Sequence, residues 1–128
     1  MNYTNLLKNI WDILYNPEKD VVQTIERFFY PEYEQCINGV LMKRDEYIAH
    51  VQEQKKNMVI NFIKYKHMME KGNEVFALYY PSGMNKNKSP IEAEVIAYVC
   101  FKEQQIIKIH GQVRLISGEH ADVDMKNA

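Results

Sequence analysis

The second half of the chain contains four runs rich in β-branched and aromatic residues, each separated from the next by a turn sequence. In order, the runs are "MVINFIKYKHMM", "EVFALYYP", "IEAEVIAYVCFK" and "QIIKIHGQVRLI", and the turns are "EKGN", "SGMNKNKSP" and "KEQQ". Such composition and spacing are typical of strands joined by hairpins. From residue 58 onward, the pattern therefore predicts a four-stranded antiparallel meander.

The first half has helical periodicity instead. Apolar residues recur at three- and four-residue spacing from Leu6 to Leu14 and again from Val21 to Phe29, which predicts two amphipathic helices. Pro17 separates them, and Pro31 ends the second because the residue before a proline avoids the α region. A third helix is predicted after Lys43. Three helices followed by a meander predict an α+β fold, formed as one domain over residues 1–128.

The charge balance excludes two classes of partner. The chain has 16 basic and 17 acidic residues and a formal net charge of −1. Nucleic acid or an anionic membrane would favour a basic surplus, so neither is expected. Cys36 and Cys100 lie far apart and outside any C-x-x-C motif. With no secretory leader and no apolar run near the length of a bilayer, the chain is predicted to be a soluble cytoplasmic protein.

Hairpin geometry predicts which residues share a face of the sheet. If residues 103–104 form a two-residue turn, Lys102 faces Gln105 and Ala97 faces His110. The same reasoning places Tyr65 near Tyr79 and His67 near Ala77. The resulting polar set surrounds a floor of alanines, as a lined pocket requires. The set comprises Asn61, Tyr65, His67, Tyr79, His110, Gln112 and Arg114.

The opposite face of the predicted sheet is apolar and needs a cover of its own. Its residues are Phe62, Phe76, Leu78, Ile96, Tyr98, Ile107 and Ile109. A two-fold copy of the chain would supply that cover, so a homodimer through the outer sheet face is expected. A one-residue slip at any turn would exchange the two faces beyond it.

Three segments resemble the SnoaL-like group of the nuclear transport factor two superfamily. They are "YPEYEQCING", "KGNEVFALYY" and the last hairpin with its polar exit "GEHADVD". The resemblance implies a curved sheet wrapped on helices as a cone with an internal pocket, often in a homodimer. It also implies that the segment before the third helix borders the pocket mouth, which adds Tyr33 and Gln35 to the expected ligand-binding residues. Members include polyketide cyclases, ketosteroid isomerases, epoxide hydrolases and non-catalytic binding proteins, so fold alone does not decide function.

The sequence departs from this group at its catalytic positions. Cys36 stands where isomerase and cyclase members tend to have Asp or His, and Arg114 stands where some cyclases have an Asp. An arginine stays protonated near neutral pH and cannot act as a general acid or base. His67 and His110 are the candidate acid/base residues because histidine titrates near neutrality. The alternatives are hydrogen-bonded histidines on half-buried strands and, for Arg114, an ion pair with Glu94.

Three functions therefore stay open from the sequence. The first is a SnoaL-like protein of uncertain reaction that holds a small, mostly apolar molecule. The second is a cofactor-independent isomerase, cyclase or lyase that uses a pocket histidine. The third is a non-catalytic dimeric module whose cavity is filled by its own side chains. Neither a metal nor a cofactor is expected, because the chain has no H-E-x-x-H, C-x-x-C, G-x-G-x-x-G or P-loop pattern.

Overall fold

The computed structural model describes residues 2–120 and contains three helices and one six-stranded sheet in that range. The elements in chain order are α1 Tyr3–Leu14, α2 Val21–Phe28, β1 Phe29–Ile37, β2 Val40–Lys43, α3 Arg44–Asn57, β3 Met58–Lys71, β4 Glu74–Asn85, β5 Pro90–Lys102 and β6 Gln105–Ser117. The sheet order is β2-β1-β6-β5-β4-β3. The α+β class and the four-strand meander β3–β6 are confirmed. The total of four strands is wrong. Asp122 and Asp124 of the polar exit lie outside the described residues.

The two additional strands come from the segment between the second and third predicted helices. β1 pairs with β2 through the two-residue turn Asn38-Gly39, both with positive φ, and with β6 in parallel. Asn-Gly is the strongest short hairpin signal, since both turn positions need positive φ. Pro31 is tolerated in β1 because it lies where the register with β6 shifts, between Phe29 and Glu34.

Local hydrogen bonds set the start of each helix. The Asn2 side chain accepts from the Asn5 amide at α1, and the Asp20 side chain accepts from the Gln23 amide at α2. At α3, the Glu46 carboxylate accepts from the Lys43 amide. Each bond satisfies an amide that a helix start or its cap would otherwise leave unpaired.

The main core lies between the inner face of the sheet and the three helices. Fully buried members from both sides pack together: Leu7, Ile10, Leu14, Ile25, Val51, Val75, Val99, Phe101 and Ile106. The long strands bend at two bulges in β3 and two in β6. Each bulge bends its strand and increases the local twist, which lets the sheet wrap around the helices.

The bulges also change the register. Lys102 pairs with Gln105 and Tyr65 pairs with Tyr79, as predicted. The predicted pairing of Ala97 with His110 is wrong. Beyond an irregularity between Cys100 and Phe101, Ala97 pairs with Gly111, and Tyr98 pairs with His110. A shift of one residue moves every following side chain to the other face.

The faces predicted beyond two bulges are therefore exchanged. His110, Gln112 and Arg114 are exposed on the outer face of β6, and Ile109 is buried on the inner one. His67 is exposed as well, because an irregularity between Tyr65 and His67 pairs it with Leu78 instead of Ala77.

Candidate ligand-binding site

A cavity of about 160 Å³ lies between the inner face of the sheet and the helices. Its apolar lining comes mainly from Ile37, Val40, Met42, Met58, Ile60, Ile63, Pro81, Ile91, Ala93, Val95, Ala97, Ile109, Val113 and Leu115. Its polar lining comes from Trp11, Tyr15, Gln35, Asn38, Tyr47, His50, Gln54 and Tyr79. Within residues 2–120, no Asp, Glu, Lys or Arg lines this cavity. The site is therefore an apolar space with several hydrogen-bonding groups.

Small residues on the central strands make room for the cavity. Ala93 and Ala97 line it, as the predicted alanine floor requires, whereas Ala77 is buried beside them without lining it. Gly111 lies opposite Ala97, and a Cβ there would come within 2.6 Å of the Ile96 carbonyl oxygen. The two strands thus approach more closely than a side chain at residue 111 would allow.

Tyrosine hydroxyls form the polar side of the cavity. The Tyr15 hydroxyl donates to Gln54 Oε1 at 3.4 Å and also interacts with the Tyr47 hydroxyl. Burial raises the pKa of Tyr15 to about 12 and raises the pKa of Tyr47 and of Tyr79. A phenol with a raised pKa stays protonated at neutral pH and can donate a hydrogen bond.

Trp11 adds a buried donor beside Tyr79. Its indole N–H lowers the pKa of Tyr79 against the larger effect of burial. The Trp11 nitrogen nevertheless meets no acceptor with regular hydrogen-bond geometry in this structure. A buried donor in this state favours any ligand that brings an acceptor within reach, because an unsatisfied buried N–H is costly.

Gln35 reaches the cavity from β1 and is held by Tyr33. The Tyr33 hydroxyl donates to Gln35 Oε1 at 2.8 Å, and both residues are buried. Because that oxygen serves Tyr33, the Gln35 amide N–H groups are the donors it can offer a ligand. Tyr33 packs edge-on against Phe29 and supports the wall from behind. Of the predicted ligand-binding residues, Gln35 and Tyr79 line the cavity.

His50 lines the cavity from α3. Its ring stacks on Tyr47 with centroids 6.2 Å apart. Sequence reasoning did not single out this histidine. The signal was present, because Tyr47, His50 and Gln54 follow the three- and four-residue spacing of one helix face. Among the described cavity residues, His50 is the side chain whose ordinary pKa lies near neutrality.

The remaining predicted site residues lie elsewhere. His67, His110, Gln112 and Arg114 are on the outer face and do not line the cavity. Tyr65 is half-buried with its ring 5.6 Å from that of Tyr79, outside the lining.

Arg114 forms an ion pair with Glu94, which was the alternative to a ligand-binding role for this residue. Its Nε donates to Glu94 Oε1 at 3.2 Å, and the Tyr80 hydroxyl donates to Glu94 Oε2 at 2.7 Å. These bonds from Tyr80 and Arg114 lower the pKa of Glu94. The Arg114 guanidinium is thus engaged on the outer surface.

The described residues bear on two further questions, metal-binding groups and membrane-spanning helices. Residues 2–120 contain no group of three or more His, Cys, Asp or Glu side chains placed to hold a metal ion. None of the helices in that range is long and apolar enough to cross a membrane.

Solved structures share this architecture. A candidate isomerase from Rhodopseudomonas palustris aligns over 88% of this chain and 90% of its own, with a TM-score of 0.77 and 6% identity. A Catenulispora acidiphila protein with a ketosteroid isomerase-like fold, solved with trimethylamine, aligns over 95% and 94%, with a TM-score of 0.68 and 12% identity. A candidate SnoaL-like polyketide cyclase from Jannaschia sp. aligns over 86% and 85%, with a TM-score of 0.64 and 9% identity. The fold is that of the SnoaL-like and ketosteroid isomerase-like proteins.

Comparison of sequences also identifies a distant relative of this chain. An uncharacterized protein of Schizosaccharomyces pombe is 21% identical over 104 residues, which cover 81% of this chain and 80% of that protein. No family model matches the chain. Since the SnoaL-like fold carries unrelated activities, function has to be argued from the cavity itself.

Proposed function

We propose that this protein binds a small, mostly apolar molecule with one oxygen function in the inner cavity. The observation that carries the proposal is the combination of apolar walls with protonated tyrosine hydroxyls and no charged side chain in the described lining. Binding sites for small molecules have this character: a largely apolar surface with a few placed polar groups that set orientation. The Tyr47 hydroxyl and the Gln35 amide would serve the ligand oxygen, since the Tyr15 hydroxyl already donates its proton to Gln54.

The volume sets the size of the ligand. An engineered apolar protein cavity of about 150 Å³ takes up benzene. At about 160 Å³, the cavity would accommodate one ring with small substituents. Phenols and cyclic ketones fit this description, whereas a steroid would need a substantially larger space. The same empty volume counts against a module whose cavity is filled by its own side chains.

Titration with benzene, phenol and cyclohexanone tests the proposal. We expect phenol or cyclohexanone to raise the melting temperature and to shift the NMR signals of the Ala93 and Ala97 methyl groups, since a ligand of the folded state stabilises it. Tyr47→Phe should weaken cyclohexanone binding by roughly tenfold, the worth of one hydrogen bond, and leave benzene binding nearly unchanged.

The outer-face variant His110→Ala is the control and should bind all three compounds like the parent protein. Chemical-shift changes confined to outer-face residues, or no binding by any of the three compounds at millimolar concentration, would contradict the proposal.

A second candidate is a cofactor-independent isomerase, lyase or cyclase with His50 as the acid/base. The position of His50 in the cavity beside the Tyr47 ring favours it, because a histidine next to a phenol donor can move a proton while the phenol stabilises an enolate. Exchange of the α-protons of cyclohexanone in D₂O would reveal such chemistry. His50→Gln should abolish the exchange while binding persists, and exchange that survives the substitution would exclude this role.

We further propose a homodimer through the outer sheet face. Met69, Phe76 and Ile96 expose 70%, 51% and 56% of their surface there. They adjoin Leu78 and Tyr98 across β3, β4 and β5, and so form a continuous apolar patch. In sedimentation velocity, Phe76→Lys should convert dimer to monomer, and Leu41→Lys on β2 should not. A parent protein that is monomeric at high concentration would contradict the dimer.

A further inference from the structure

A second pocket lies against the outside of the inner cavity, between the end of α1 and the start of β3. Its volume is about 280 Å³. We call it the outer pocket; its own residues are Asp12, Asn16, Pro17, Asn61 and Phe62. Four other side chains line both spaces: Trp11, Tyr15, Ile60 and Ile63. A single layer of side chains therefore separates the outer pocket from the inner cavity.

Two irregularities in the chain create this space. α1 ends at Leu14, and Asn16 and Pro17 of the turn that follows line the outer pocket together with residues 60–63 of β3. In β3, the register shifts between Ile60 and Phe62, so that Asn61 is the extra residue of a bulge. Bulges redirect side chains and occur often beside functional sites.

Asp12 is the one charged side chain in the described lining of the outer pocket, and the Lys55 ammonium at the adjacent turn is held by the backbone carbonyls of Leu14, Asn16 and Lys19. Asp12 contributes a carboxylate, and Asn16 and Asn61 contribute amides. Asn16 Oδ1 already accepts from the Glu18 amide at 2.9 Å. No Lys, Arg or His belongs to the described lining. Burial raises the pKa of the nearby Tyr65, and the Asp12 charge raises it further.

We propose that the outer pocket is a second subsite of the same ligand site and takes a cationic amine rather than an anionic group. The ligand would then be a ring in the inner cavity, joined by a short chain between the shared side chains to an ammonium group beside Asp12. This inference rests on the proposed function, because the ring occupies the cavity described there. An ammonium would gain from the Asp12 carboxylate, and a carboxylate at the same place would be repelled by it.

Three compounds of the same shape test the subsite: 3-phenylpropylamine, 3-phenylpropanol and 3-phenylpropanoate. By calorimetry at low ionic strength, we expect the amine to bind roughly tenfold more tightly than the carboxylate, the scale expected for attraction and repulsion at an exposed charge. In Asp12→Asn the two affinities should become equal. Glu26→Gln, which removes an exposed charge on α2 outside both pockets, should preserve the preference. Salt at 1 M should weaken the preference by screening.

Toluene separates this inference from the proposed function, since it probes the inner cavity alone. If toluene binds and the amine and the carboxylate have equal affinities, the second subsite is overturned and the proposed function stands. The same conclusion holds if toluene binds and Asp12→Asn leaves the preference for the amine unchanged. An amine preference without toluene binding would overturn the two-part site, because the amine would then occupy the outer pocket alone. Failure of every compound to bind would overturn both.

Discussion

Ala93→Leu is expected to lower the affinity for phenol and cyclohexanone by at least about 30-fold while the protein stays folded. Ala93 lines the cavity, and a leucine there would fill a large share of its approximately 160 Å³. Ligand and side chain would then compete for the same space. The added methylenes enter an existing void, so the stability cost should stay below the roughly 1–3 kcal/mol typical of overpacking a filled core.

Calorimetric titration and urea unfolding of the same preparations measure both effects. Ala49→Leu is the matched control, because it makes the same substitution at an exposed position of α3 outside the cavity. It should leave the affinities as they are. Unchanged affinity in Ala93→Leu, with a normal unfolding transition, would show that the bound compounds occupy a different space.

Gly83→Ala is expected to produce the largest loss of stability from a single methyl group, about 3 kcal/mol or more in the free energy of unfolding. A Cβ at Gly83 would lie 1.8 Å from the Val59 carbonyl oxygen and 2.9 Å from the Ile60 Cα. These are backbone atoms, so relief requires β3 and β4 to separate at the bulge. The same movement would open the outer pocket and disturb Ile60.

Gly72→Ala separates this steric effect from the general cost of replacing a glycine. Gly72 has φ of +60° with no atom within 4 Å of the added Cβ, so only backbone strain applies. Its cost should be about 1 kcal/mol. Urea unfolding of both variants provides the comparison. Equal costs would contradict the close approach of β3 and β4 at Gly83.

The helices and the last four strands were predictable because their signals are local. Each helix has its apolar spacing within about fourteen residues, and each hairpin has its turn between the strands it joins. No local sequence signal indicated that β1 belongs to the main sheet. This strand pairs with β6, from Gln35 with Ile109 to Ile37 with Gly111, and a contact so distant in sequence leaves no periodic pattern. Pro31 also argued against a strand, because the register shift that accommodates it in β1 exists only in the pairing with the distant β6.

The site residues were harder to predict, for two physical reasons. Alternation along a strand identifies a face only up to the next bulge, so Tyr79 was placed correctly and His110 was not. The other reason is that much of the polar lining comes from helices. Tyr15, Tyr47 and His50 reach the cavity through the way α1 and α3 pack on the sheet, and helical periodicity alone does not distinguish a cavity from a filled core.

The parallel pairing of β1 with β6 has a consequence for synthesis in the cell. The Asn38 side chain bonds the Val113 backbone in both directions, at 2.9 Å and 2.8 Å, across 75 residues of chain. While the ribosome still holds the last strand, β1 lacks this neighbour and the inner wall of the cavity is incomplete. Gln35, Ile37 and Asn38 would then be exposed on a nascent chain that already carries apolar strands. Translation of β6 is therefore the step that completes the cavity, and the unprotected period before it is when assistance by chaperones would matter most.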